Sequence, residues 1–90
     1  MKTFDSLWSE LNSKLESDPT PNTDSGTIAA LEKGTHFIAK KVIEEAGEVM
    51  LAAEAQSNND LAQEISQLLY WIQVLMLDKK LTLEDIYRRL

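Results

Sequence analysis

The sequence predicts an all-α protein built on a helical hairpin, and three observations support this fold class. Apolar residues recur every three or four positions along two long segments and several shorter ones. No segment shows the alternation of apolar and polar residues that is typical of a half-buried strand. The chain has 90 residues, of which 43% are hydrophobic, so residues 1–90 are expected to fold as one small domain.

The first helix is predicted over about residues 4–17, because large apolar residues follow helical spacing there. Residues 17–26 contain both prolines of the chain and end this periodicity, so they are predicted to form a loop. The part from 18 to 26 would act either as a lid over a neighbouring site or only as a connector. A short helix from Thr27 to Lys33 follows, and Gly34 ends it.

The main helix is predicted over about residues 35–56, with an apolar stripe along one face. The residues of this stripe are Ile38, Val42, Ala46, Val49 and Ala53. A short turn at residues 57–59 then reverses the chain, which makes the next helix antiparallel to this one.

Two capping signals precede the remaining helices. Asp60 and Gln63 resemble a capping box, and Thr82 with Asp85 resembles a second, weaker one. The helices that they would open are expected over about residues 60–79 and 83–89.

The helix over about residues 60–79 is apolar around nearly its whole circumference between residues 68 and 77. A helix of this kind requires burial on more than one side. Two long and two short helices hardly provide such cover within one chain. We therefore expect an obligate homodimer, in which paired hairpins form a helix bundle.

Composition excludes several classes of function. The net charge of −6 argues against sequence-independent nucleic-acid binding, which depends on Lys and Arg contacts to phosphates. The absence of cysteine excludes disulfides, thiolate metal sites and cysteine nucleophiles, and it favours a cytoplasmic protein. No segment approaches the ~20 apolar residues needed to span a bilayer, and no signal peptide is expected.

Carboxylates spaced three apart are the main chemical feature of the chain. The main helix carries Glu44, Glu45 and Glu48, and the next helix carries Glu64 followed three residues later by Gln67. Side chains three apart on a helix are neighbours, so two such pairs facing each other would gather oxygen ligands for a divalent cation such as Mg²⁺. The alternative is a solvated acidic face, and the two pairs lie at unequal distances from the turn, so the spacing permits the site without requiring it.

Two lysines precede these acids by one helical turn. Lys40 and Lys41 would form salt bridges with Glu44 and Glu45, or Lys41 would contact a substrate phosphate beside the metal. Tyr70 and Trp71 are expected in the core or at a dimer interface rather than as platforms for stacking a base.

The residues also resemble a known family. The pattern Glu44-Glu45-x-x-Glu48 with Glu64-x-x-Gln67 is similar to the EExxE…ExxD signature of MazG-like, all-α nucleoside-triphosphate pyrophosphatases. The surrounding segments resemble phosphoribosyl-ATP pyrophosphohydrolase of histidine biosynthesis over about residues 27–90. The positions that carry this likeness are Thr27, Leu31, Gly34, Thr35, Ile38, Ala39, Lys41, Val42, Ala46, Leu68, Leu69, Tyr70 and residues 81–86.

The resemblance implies an enzyme that hydrolyses the α–β phosphate bond of phosphoribosyl-ATP with Mg²⁺. The metal ligands that it implies are Glu45, Glu48 and Glu64, with Gln67 in the place of the family's fourth acid. The substrate-binding residues would be Thr27, Lys33, Lys40 and Lys41. Lys41 would also be catalytic, and Glu44 would either orient the attacking water or face solvent.

Four positions depart from the family pattern. An aromatic residue is replaced by Gly26, a basic residue by Ala29, an aspartate by Gln67 and a histidine by Trp71. Two other functions therefore stay open: a house-cleaning pyrophosphatase that acts on dUTP, dCTP or damaged nucleotides, and a non-catalytic helical interaction module.

Overall fold

The computed structural model describes residues 1–16 and 26–90, which form five helices and no strand. The helices are α1 (Phe4–Glu16), α2 (Gly26–Lys33), α3 (Thr35–Ala55), α4 (Asn58–Lys79) and α5 (Leu83–Tyr87). The all-α prediction is thus confirmed, and each predicted helix is present within a few residues of its expected bounds. The predicted lid lies outside the described residues except for Gly26, which begins α2.

The hairpin of α3 and α4 is the centre of the fold, and α1 and α2 pack against it. The connection between the two long helices is only Gln56 and Ser57, so the helices run antiparallel. Ala30, Ile38 and Val74 form a buried cluster between α2, α3 and α4. The half-buried residues around this cluster are Leu31, Phe37, Tyr70, Trp71 and Leu75.

Side-chain hydrogen bonds tie the smaller helices to α4. The Thr27 hydroxyl and the Tyr70 hydroxyl are 2.6 Å apart, which joins α2 to α4. The fully buried Gln73 donates from Nε2 to the Phe4 carbonyl oxygen at 2.8 Å, which joins α4 to α1. Because buried polar groups cost free energy unless they are bonded, these pairs determine where α1 and α2 sit.

The start of α4 differs from the prediction. Ser57 is the N-cap, and its hydroxyl accepts a hydrogen bond from the backbone N–H of Asp60 at 3.1 Å. The predicted capping box of Asp60 and Gln63 is therefore wrong, because the helix has already begun at Asn58. The box at Thr82 and Asp85 is confirmed, with both reciprocal hydrogen bonds present.

The buried face of α3 also differs from the predicted stripe. Its buried residues are Ile38, Glu45 and Ala52, which repeat every seven residues, whereas Ala46 and Ala53 are exposed. The prediction placed only apolar residues in the stripe and so rotated it away from Glu45. In the folded chain this acid lies in the middle of the buried face, where it points toward α4.

Across the described ranges, no helix combines the length and apolar character needed to cross a membrane.

Candidate metal centre

Three carboxylates meet where α3 and α4 pack. One oxygen from each of Glu45, Glu48 and Glu64 lies within 4.8 Å of the others. Glu45 and Glu48 are one turn apart on α3, and Glu64 faces them from α4 across the hairpin. The unequal distances of these acids from the turn therefore do not keep them apart.

The cluster is partly shielded from water. Glu45 is only 8% exposed, and its Oε2 atom is buried without a hydrogen-bond partner among the described residues. Oε2 of Glu64 is buried and unpartnered in the same way. An ionised carboxylate in such a position lacks the solvation that water would provide, so the arrangement requires a compensating positive charge or a bound proton.

Burial and mutual repulsion affect the protonation of these acids. Burial raises the pKa of Glu45, and the negative charges of Glu48 and Glu44 raise it further, while Lys41 lowers it. The pKa of Glu64 is raised because its carboxyl can share a proton with Glu48, and burial and the charges of Glu48 and Glu45 act in the same direction. The cluster thus attracts cations, including protons.

The residues present fit a divalent metal ion. Hard cations such as Mg²⁺ and Ca²⁺ prefer carboxylate oxygens, and the cluster offers three from two rigid helices. The unpartnered oxygens of Glu45 and Glu64 are the atoms that such an ion would satisfy.

Lys41 and Glu44 lie beside the cluster on α3. Lys41 Nζ is 3.4 Å from a carboxylate oxygen of the exposed Glu44, rather than in the predicted pair with Glu45. Lys41 Nζ also lies 5.8 Å from the centre of the Trp71 ring. The lysine therefore stays close enough to lower the pKa of Glu45 while a salt bridge and an aromatic face hold it in place.

The other predicted substrate-binding residues lie in different surroundings. Thr27 is buried, and its hydroxyl is engaged with Tyr70. Lys33 is exposed at the end of α2, with Nζ 4.6 Å from the centre of the Phe37 ring. Lys40 is exposed on α3, about 100° around the helix from Lys41. None of these three belongs to the carboxylate cluster, so their contact with a substrate stays a prediction.

A model of the phosphoribosyl-ATP pyrophosphohydrolase family matches residues 8–90 of the chain. The match includes all three carboxylates and covers all but the first seven residues. The chain belongs to the phosphoribosyl-ATP pyrophosphohydrolase family. The protein is therefore an enzyme, a hydrolase of a family that acts in histidine biosynthesis on a small nucleotide substrate.

Gln67 lies in different surroundings from Glu48 and Glu64. Glu48 and Glu64 line a depression of about 310 Å³ together with Leu51 and Gln56. Gln67 is exposed and lines another depression, of about 550 Å³, between α1 and α4. Metal ligation by Gln67 stays a prediction. It is not favoured, because Gln67 lines a different depression from Glu48 and Glu64.

Sequence reasoning missed two residues beside the cluster. Leu51 and Gln56 line the same depression as Glu48 and Glu64. Gln56 is the C-cap of α3, and its nearness to Glu64 depends on how tightly the hairpin closes. Leu51 lies beside Glu48 because it follows that residue by three positions on α3, whereas Gln56 approaches Glu64 only through the closing of the hairpin.

The raised pKa values predict how the metal-free protein responds to pH. Glu45 and Glu64 bind protons more readily when folded, so they contribute stability at low pH that is lost as pH rises through their folded-state pKa values. We expect the thermal midpoint in a chelator to rise as pH falls from 7 toward 4.5, the ordinary value of these carboxyls. A variant with both residues changed to glutamine should lose most of this rise. An equal rise in both proteins would contradict the prediction.

Proposed function

We propose that this protein hydrolyses phosphoribosyl-ATP between its α and β phosphates, giving phosphoribosyl-AMP and pyrophosphate, in a reaction that depends on Mg²⁺ in the cytoplasm. The observation that carries the proposal is the convergence of Glu45, Glu48 and Glu64 within 4.8 Å in a chain of this family. A polyanionic substrate on an acidic protein requires bound cations, and this cluster is the place that would hold them.

The proposed mechanism is electrostatic. Mg²⁺ held by the three carboxylates would neutralise charge on the phosphates and lower the pKa of an attacking water. Lys41 adds a fixed positive charge beside the cluster, suited to a phosphate oxygen. Glu44, which is exposed next to Glu45, would accept a hydrogen bond from the attacking water once Lys41 turns toward the substrate.

A substrate panel tests the reaction. Pyrophosphate release is measured with phosphoribosyl-ATP and with ATP, dUTP and dCTP, each with Mg²⁺ and with a chelator. The proposal expects the highest kcat/KM for phosphoribosyl-ATP and no turnover in the chelator. Preference for a nucleoside triphosphate would instead indicate the house-cleaning activity, and absence of metal-linked turnover with every substrate would indicate a non-catalytic module.

We further propose that the enzyme is a homodimer. On α3, Ile43 is 74% exposed and Met50 is 61% exposed, and their separation of seven positions places both on one face. Ile65 of α4 is also exposed. Large apolar residues concentrated on the hairpin are typical of an interface, and a second copy offers a matching apolar face.

Met50→Glu is expected to shift the protein from a two-chain to a one-chain sedimenting species, because a carboxylate would be buried unpaired in the interface. Ser9→Glu adds the same charge at an exposed position of α1 and serves as the control. Sedimentation velocity at micromolar concentration makes the comparison. A wild-type chain that sediments as a folded monomer would refute the dimer.

A further inference from the structure

The depression of about 550 Å³ between α1 and α4 lies outside the carboxylate cluster and has no part in the mechanism above. Phe4 and Leu7 line it from α1, and Leu69, Tyr70 and Trp71 line it from α4. Sites for small molecules are typically concave and mostly apolar, with a few polar groups that orient the ligand. The depression has this character, with Gln67 as a polar group in its wall.

Trp71 connects this depression to the carboxylate cluster. Its ring lies 5.8 Å from Nζ of Lys41 and packs edge-on against Phe37, with ring centres 6.2 Å apart. Trp71 follows Glu64 by seven residues, so both point to the same side of α4, about 10 Å apart along the helix axis. This separation suits the reach of a nucleotide from its α-phosphate to its base. A nucleotide with its phosphates at the cluster can therefore place its base beside Trp71.

Gln67 provides hydrogen-bonding groups at the same place. Its side chain lies one turn beyond Glu64, is exposed and lines the depression. A glutamine amide offers one acceptor and two donors, which match the N6 donor and N7 acceptor on one edge of adenine. An aspartate at this position would provide acceptors only.

We propose that this depression is the subsite for the purine base of the nucleotide substrate, with Trp71 stacking on the base and Gln67 bonding to its N6/N7 edge. The inference rests on the proposed function, because a nucleotide anchored by its phosphates at the cluster is what extends to Trp71. Gln67 and Trp71 are one helical turn apart on α4, and both line this one depression. The pair therefore determines base specificity in this chain.

Binding of small nucleotides tests the subsite without turnover. Kd values are measured by calorimetry, with Mg²⁺, for AMP, for inosine 5′-monophosphate and for ribose 5-phosphate, which has no base. Trp71→Leu is expected to weaken AMP binding roughly 5- to 150-fold, the range for loss of one base–aromatic stack, and to leave ribose 5-phosphate unchanged. Trp71→Phe keeps an aromatic face and should retain most of the affinity for AMP.

Gln67→Leu is expected to remove the preference for AMP over inosine 5′-monophosphate, which differs in its group at position 6. Equal weakening of AMP and ribose 5-phosphate by Trp71→Leu would overturn the proposal, because Trp71 would then act only through Lys41 or the core. An unchanged base preference in Gln67→Leu would also overturn it, because Gln67 would then make no contact that distinguishes the bases.

The proposed reaction is tested separately by pyrophosphate release from the wild-type protein. Release from phosphoribosyl-ATP without base-dependent binding of AMP would overturn the subsite and leave the reaction standing. Base-dependent binding of AMP without release from phosphoribosyl-ATP would support the subsite and refute the reaction. Circular dichroism of each variant identifies any that has lost its fold, and the Phe variant then replaces Leu in the comparison.

Discussion

Glu48→Gln is expected to lower the rate of pyrophosphate release on the order of 10²-fold or more while the fold stays intact. The amide keeps the size of the side chain but removes one of the three charges that would hold the metal–phosphate complex. Stopped assays of pyrophosphate release at saturating Mg²⁺ measure the loss. Glu54→Gln is the matched control, because Glu54 is exposed on the same helix and lies outside the cluster.

The thermal midpoint of Glu48→Gln distinguishes a catalytic loss from a damaged fold. Removing one charge from a cluster of like charges relieves repulsion, so the thermal midpoint in a chelator should stay equal or rise. The stabilisation that Mg²⁺ gives the wild-type protein at pH 7 should shrink in Glu48→Gln. Wild-type turnover in this variant, or a lower midpoint in the chelator, would show that Glu48 does not act as proposed.

Ile38→Ala is expected to destabilise the protein by about 2–5 kcal/mol, the usual cost of truncating a fully buried isoleucine. Ile38 has no exposed surface and packs with Ala30 and Val74 at the junction of α2, α3 and α4. Ile38 also precedes Glu45 by two turns on the buried face of α3. Truncation of Ile38 should therefore weaken the packing that positions the carboxylate cluster, and it should lower the stability of the whole domain.

Urea unfolding followed by circular dichroism measures this effect. Ile38→Val removes a single methylene and should cost about 0.5–1.5 kcal/mol, so the two variants form a graded pair. Equal stability of wild type and Ile38→Ala would show that the junction is not the core of the fold.

Local patterns in the chain were sufficient to predict the helices and most of the chemistry. The spacing of apolar residues predicted each helix, because a helix presents residues three and four apart on one face whatever lies beside it. Thr82 and Asp85 predicted their own cap, since both hydrogen bonds of a capping box form within four residues. The spacing of Glu45 and Glu48 predicted that these two carboxylates lie together on α3, for the same local reason.

Other features depended on contacts between residues far apart in the chain. The buried position of Glu45 was missed because hydrophobicity placed the acid outside the stripe, whereas packing against α4 brought residues 38, 45 and 52 inward. The start of α4 at Asn58 was missed for a different reason, since its cap is the local contact between the Ser57 hydroxyl and the Asp60 N–H. The rotation of α3 does not follow from residue type alone, because it is determined by what the helix packs against.

By itself, the sequence determined the fold class, the helices, the carboxylates and the family, since each depends on residue types at fixed spacing. The tertiary structure decided that Glu45, Glu48 and Glu64 meet, and that Gln67 and Trp71 line a separate depression. The physical reason is that convergence across a hairpin depends on the crossing and rotation of two helices. These are determined by packing over the whole core, which no local pattern records.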